Sequence, residues 1–117
     1  SYADAYSELM NKFITPKDFV IFLSGSGNSM NLVKAAKKAK ELNIKQCSIT
    51  AFSGGALSEI TDIPIYINIS DMEMAEDAQL IIFHYLKQRL INELDKSQNA
   101  NENMPKYCKR TFENLVT

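Results

Sequence analysis

Three features of the sequence predict an α/β fold of three layers, with helices on both faces of a parallel sheet. Phe19–Leu23 is an unbroken apolar run, the pattern of a parallel strand buried on both faces. It breaks directly into Ser24-Gly25-Ser26-Gly27-Asn28-Ser29, and from Leu32 the pattern turns helical. Gln46–Thr50 and Ile63–Ile69 then read as further strands, with helical patterns between the strands. Strands joined by crossover helices pair in parallel. In such sheets ligands sit beyond the carboxyl ends of the strands.

The elements follow in order. Tyr2, Ala5, Tyr6, Leu9, Met10 and Phe13 recur at helical spacing, so the first helix carries an apolar stripe in which both tyrosines serve as core. Pro16 stops it and restrains Thr15. After strand Phe19–Leu23 and its serine loop, a helix is predicted from Asn28 to Leu42. Its buried stripe is Leu32, Ala35, Ala36, Ala39 and Leu42, its lysines form a solvated face, and Asn43 is its stop. Strand Gln46–Thr50 runs into a second small-residue turn, Ala51-Phe52-Ser53-Gly54-Gly55, and a short helix over Ala56–Ile60. Pro64 lacks a ladder donor, which puts strand Ile63–Ile69 at a sheet edge or places Pro64 at the strand's very start. Met74 to about Lys96 is the longest helix, apolar nearly all round between Leu80 and Leu86, so a core and a second subunit are both expected to cover it.

Composition bounds the rest. A chain of 117 residues with 45% hydrophobic and 23% charged residues suits one globular core. A formal net charge of −1 without a basic run speaks against nucleic-acid binding. No apolar stretch approaches the ~18 residues of a membrane span, and no signal peptide is visible. Cys47 and Cys108 are isolated thiols, which fits a reducing cytoplasm, and Cys47 reads as a small core residue.

The serine loop is where chemistry concentrates. A strand that turns through small hydroxyl residues into a helix leaves orphan N–H groups at the helix N-terminus, which together with the dipole bind anions such as phosphate. Ser24, Ser26 and Ser29 add hydroxyl donors, making a cradle of neutral groups. Met30 stands where a dinucleotide fingerprint needs its third glycine, and no Lys-Ser/Thr follows as in a P-loop. An ordinary turn in which Asn28 or Ser29 caps the helix accounts for the same residues. His84, the sole histidine, reads either as a buried imidazole holding a partner or as a general base or metal ligand.

The run Ser24-Gly-Ser-Gly-Asn-Ser-Met-Asn-Leu-Val-Lys-Ala35 resembles the central phosphosugar motif of the sugar isomerase (SIS) domain family, and within it the phosphoheptose (sedoheptulose 7-phosphate) isomerases. Ser24, Ser26 and Ser29 match the serines of that branch's Ser-Thr-Ser-Gly-Asn-Ser, with Gly25 in place of its Thr. Thr50–Gly55 is similar to the family's Thr-Gly-x-x-Gly-Gly turn, with Ala51 for the first Gly, and reads as loop geometry rather than as ligands. The branch also carries a helix of the form acid-x-x-Gln-x-x-x-x-x-x-x-His, whose Gln and His line the site and ligate zinc where zinc is present. Aligned without gaps, the acid falls on Glu73, the Gln position on Glu76 and the His on His84.

The resemblance therefore implies a flavodoxin-like SIS domain over residues 1–96, cut down to three of five parallel strands, followed by a polar linker and extension over 97–117. It implies substrate binding by Ser24, Gly25, Ser26, Ser29 and Glu76, catalysis by His84, and zinc on Glu76 and His84. It further implies a sugar phosphate such as sedoheptulose 7-phosphate as ligand and a homo-oligomer, usually a tetramer. The family's Asn-Gly-Gly-Ser loop, its helix with a catalytic Glu and another His, and a substrate-contacting Asn-Asp pair would precede Ser1. Two functions follow as alternatives. One is an aldose–ketose isomerase in bacterial heptose synthesis, of which this chain alone is an inactive part. The other is a non-catalytic phosphosugar sensor or a regulator that binds a replication-initiation protein, a reading that Glu76 favours.

Overall fold

The computed structural model describes residues 1–99, which fall into two compact units divided after Gln79. The first unit holds a single-turn 3-10 helix (Tyr2–Asp4), α1 (Ala5–Phe13), β1 (Phe19–Leu23), α2 (Met30–Glu41), β2 (Lys45–Thr50), α3 (Gly55–Ile60) and β3 (Ile63–Tyr66). It ends in the first turns of α4 (Met72–Asn99), and the second unit is the remainder of that helix from Leu80. The predicted linker and extension over 97–117 lies outside the described residues from position 100 onward.

The sheet is parallel in the order β1-β2-β3, with Ile21 opposite Cys47 and Ile49 opposite Ile65. The α/β class with a parallel three-stranded sheet is thus the one the sequence predicts. Met10, Phe22, Val33, Ala35, Ala36, Ala39, Ile44 and Leu57 form one buried cluster joining α1, α2 and α3 to a face of the sheet. The alanines let α2 lie close to the strands. Central β2 is buried from Gln46 to Thr50, and its polar side chains are paired except at Gln46 Oε1, which is buried without a partner. Gln46 Nε2 donates to Ala36 O at 3.0 Å, and Ser48 Oγ lies 2.7 Å from Thr61 Oγ1. Cys47 is buried, as expected, and burial pushes its thiol pKa up.

Several boundaries and environments differ from the sequence reading. β1 is an edge strand here, with Phe19 52% and Leu23 42% exposed, so its interior-type composition is not matched by cover on both sides. Tyr2 and Tyr6 are exposed, and of the α1 stripe only Met10 is buried. The second helix spans Met30–Glu41 rather than Asn28–Leu42, because the serine loop keeps Asn28 and Ser29 for itself. Val33 joins its buried stripe, whereas Leu32 and Leu42 are half-buried. Asn43 ends the helix as expected, in the left-handed region at φ 58°. β3 is an edge strand with Pro64 at its second residue, and it stops at Tyr66 rather than Ile69. A tight turn in which Ile69 N donates to Ile67 O at 2.8 Å breaks the regular ladder there, while Ile67 N still donates to Thr50 O and Ile69 O still accepts from Phe52 N. The long helix is longer at both ends than predicted. In its second unit Leu80, Ile81, Phe83 and Tyr85 are exposed, while Ile82 and Leu86 are half-buried.

Candidate phosphate-binding site

Two loops at the carboxyl ends of β1 and β2 make the site, and they interlock. Ala51 N donates to Gly25 O at 2.8 Å and Leu57 N to Gly27 O at 3.0 Å. Gly27 has φ 72°, and a Cβ there would collide with the backbone of Gly54, so the close approach requires glycine on conformational and steric grounds together. Asn28 Oδ1 accepts from Ala56 N at 2.9 Å. It therefore caps α3, whose own N-cap residue is Gly54 and has no side chain to offer. The expectation that Asn28 caps the following helix is thus corrected: it caps the next helix but one. Thr50 Oγ1 lies 3.1 Å from Ser58 Oγ, which in turn donates to Gly54 O at 2.9 Å, so Thr50–Gly55 is held as loop geometry.

The three serines are placed at the start of α2 as predicted. Ser24 is buried, and its Oγ accepts from Gly27 N at 2.9 Å. Ser26 is half-buried, and its Oγ accepts from Asn28 N at 3.1 Å. Each hydroxyl acts as acceptor to its own loop and so keeps its hydrogen free to donate. Ser29 is the N-cap residue of α2, exposed, with no side-chain capping bond. The N–H groups of Ser29, Met30 and Asn31 have no partner among the described residues, and that of Leu32 is taken by Asn31 Oδ1 at 2.9 Å. Hydroxyl hydrogens and helix N-terminal N–H groups thus share one end of α2, which is a chemistry suited to a phosphate. Lys34, the first cation after the loop, is engaged by Asp4 at 2.6 Å.

The residue that sequence reasoning missed is Gln79. It is 6% exposed, and its Nε2 donates to Ser24 O at 2.8 Å and to Ile49 O at 2.9 Å. A single amide thereby pins the ends of β1 and β2 where the serine loop begins. Its one sequence signal is a polar residue at the entrance to the apolar run Leu80–Leu86. Glu76, at the position predicted for a ligand, is exposed on α4. His84, in the second unit, is exposed in the single chain. No group of three or more His, Cys, Asp or Glu among the described residues is placed to hold a metal. Glu76 and His84 alone fall short of the three protein ligands of a catalytic zinc, so these residues do not by themselves make up a zinc site.

Comparison with known proteins agrees with this geometry. The SIS domain family matches residues 1–88. A probable phosphoheptose isomerase from Thermoplasma volcanium is 33% identical over 86 residues, which are 74% of this chain and 44% of that protein. A phosphoheptose isomerase from Mycobacterium bovis is 28% identical over 89 residues, 76% of this chain and 45% of its own length. The chain thus spans less than half the length of these relatives. The fold is shared with the solved phosphoheptose isomerase of Neisseria gonorrhoeae, at TM-score 0.69 and 20% identity over 71% of this chain and 48% of that one. It is shared equally with that of Francisella tularensis, at TM-score 0.69 and 23% identity over 72% and 46%. No helix among the described residues is long and apolar enough to cross a membrane. With the serine loop, the parallel sheet and three quarters of its length in agreement, the chain belongs to the SIS domain family.

Proposed function

We propose that this chain is the phosphate-holding part of a phosphoheptose isomerase, acting on sedoheptulose 7-phosphate. The observation that carries the reading is the serine loop, where three hydroxyls and the N–H groups of Ser29, Met30 and Asn31 face no partner that consumes their hydrogens. Aldose–ketose isomerisation moves a proton between adjacent carbons through an enediol, so it needs an acid/base group and fixed carbons. The loop supplies the fixing, by anchoring the phosphate end of the sugar. His84 is the side chain of this chain suited to the proton transfer, an exposed imidazole that can both accept and donate a proton. The second acid/base group that the resemblance implies belongs to the part of the relatives that this chain does not span, so turnover belongs to the whole protein.

Calorimetry with sedoheptulose 7-phosphate tests the cradle. Ser26→Ala combined with Ser29→Ala is expected to weaken binding by about 1–3 kcal/mol, the usual worth of hydrogen bonds to a charged group. Unchanged affinity refutes the cradle. His84→Asn is expected to abolish turnover while affinity stays within about threefold, since phosphate and proton transfer are handled by different residues. Retained turnover defeats the assignment of His84. Tight binding by the whole protein without any turnover supports the sensor reading instead. We further propose a homo-oligomer, supported by the exposed apolar residues Ile81, Phe83 and Tyr85. Phe83→Lys should then lower the mass seen in light scattering, and a folded variant of unchanged mass rejects Phe83 as part of the contact.

A further inference from the structure

Gly25 differs in kind from Gly27. Its φ is not in the left-handed region, so the backbone there would accept any residue. What holds the position small is space: a Cβ on Gly25 would lie 2.5 Å from Met72 Sδ and 2.9 Å from Met72 Cε, with Phe52 Cε2 at 3.8 Å. Met72 is the first residue of α4 and remains 47% exposed, so its thioether is laid against the loop rather than buried in a core. Phe52 is itself held at φ 52°, in the left-handed region, where a bulky residue is uncommon. Its ring comes to the same point from the second loop. Beside Gly25, between Ser24 and Ser26, the thioether therefore fills the volume a side chain at position 25 would occupy, and the aromatic ring lies at contact distance from that same place.

We propose that Met72 is a specificity-determining residue of the serine loop. By filling the place of a residue-25 side chain, it gives the anion cradle an apolar wall instead of another hydrogen-bond donor. Inorganic phosphate gains nothing from such a wall, since each of its oxygens competes for donors. A phosphate monoester gains, because its ester carbon can lie against sulfur and ring while its remaining oxygens take the serine hydroxyls and the α2 N–H groups. The loop thus selects phosphate esters over free phosphate. This inference rests on the phosphate reading of the loop, not on the identity of the sugar or on turnover.

The contact is also a swap. The atoms nearest the absent Cβ are the far end of a flexible side chain, so a residue placed at 25 displaces Met72 at small cost in stability. The experiment is calorimetry of the protein with glycerol 3-phosphate and with inorganic phosphate, on the wild type, Met72→Ala, Met72→Leu, Gly25→Thr and Gly25→Thr/Met72→Ala, each with a melting curve. Met72→Ala is expected to lower the preference for the ester by about three- to tenfold, with Met72→Leu near wild type. Gly25→Thr is expected to tighten inorganic phosphate by about tenfold through its added hydroxyl. Adding Met72→Ala to Gly25→Thr should then change little, because Met72 has already left the loop. A preference unchanged in folded Met72→Ala overturns the proposal, as does additivity of the two substitutions. Failure of the wild type to bind either probe overturns it together with the phosphate reading. In that case, melting temperatures that still show the two substitutions to be coupled place the fault in the phosphate reading and not in the Met72–Gly25 contact.

Discussion

Replacing Gln79 by Ala should cost the protein about 2–4 kcal/mol, and the structure says where that comes from. Ser24 O has no partner among the described residues other than Gln79 Nε2, so its loss leaves a buried carbonyl unpaired, worth about 1–3 kcal/mol. Ile49 O also accepts from Ser24 N at 3.1 Å, so there the loss is only a second bond, about 0.5–1.5 kcal/mol. A water that enters the space left by the side chain would pair Ser24 O again and bring the total to the lower end. The assay is urea unfolding, with the midpoint falling and the slope unchanged. Gln79→Glu separates hydrogen bonding from packing, since the shape is kept. An ionised carboxylate there faces two carbonyl oxygens, and burial adds to the penalty, so its folded pKa rises above the ordinary value of about 4.3. A raised folded pKa means that stability is fully present below pH about 4.3 and is lost as pH climbs through the folded value. Relative to wild type at each pH, Gln79→Glu should therefore be least destabilised in acid and most destabilised near neutrality. A Gln79→Ala protein within about 0.5 kcal/mol of wild type, or a Gln79→Glu deficit that does not grow with pH, refutes the clamp.

Asn28→Ala removes the cap on α3 and should cost about 1 kcal/mol in the same unfolding assay, whereas Asn28→Asp keeps an acceptor for Ala56 N and should hold stability while weakening phosphate binding by its charge. The Lys34 ammonium hydrogen-bonded to Asp4, with Ser1 adding a second hydrogen bond, lowers the Asp4 pKa from 3.8 to about 2. Being lowered, it contributes stability above pH 3.8 that disappears as pH falls toward about 2, so the stability difference between wild type and Asp4→Asn should vanish over that range in acid titrations followed by circular dichroism. Because no Lys or Arg lies between Phe19 and Leu32, phosphate affinity should change by less than about threefold between low and high salt, and a steep loss would mean that a cation joins the site.

How far the sequence reached depended on whether a residue's role is local. The apolar run Phe19–Leu23, the small-residue loop after it and the alanine stripe of α2 are local patterns, and they located β1, the loop at the start of α2 and the α2 contact with the sheet. Asn43 and Pro64 were legible for the same reason, since each acts through its own backbone. Asn28 and Gln79 were not, because each serves a partner far along the chain: Ala56 lies 28 residues away from Asn28, and Ser24 lies 55 from Gln79. Helical periodicity assigned Tyr2 and Tyr6 to a core because it reports which residues share a face, not whether anything covers it. The same limit applies to β1, whose composition is that of an interior strand although the chain by itself leaves it at an edge. Met72 was invisible as well, since nothing in its neighbourhood hints that its thioether lies over Gly25.

A neutral cradle has a consequence for which residues matter. A lysine attracts phosphate from several ångströms in any direction, so a cationic site tolerates loose placement. Hydroxyl and N–H donors lose their worth when angles drift, and on the proposed reading they would carry the anion without a cation in the loop. The residues that hold the donors in place therefore bear on affinity as directly as the donors do. Gln79 fixes the strand end from which the loop departs, the Gly27 backbone lets the two loops touch, and Asn28 ties the loop to α3. Met72 sets what lies beside the donors, and none of these four side chains or glycines needs to touch the phosphate. Substitutions at such positions should register first as weakened binding in a protein whose serines are all intact, which is why the serine motif alone is an incomplete guide to whether a chain of this family binds its ligand.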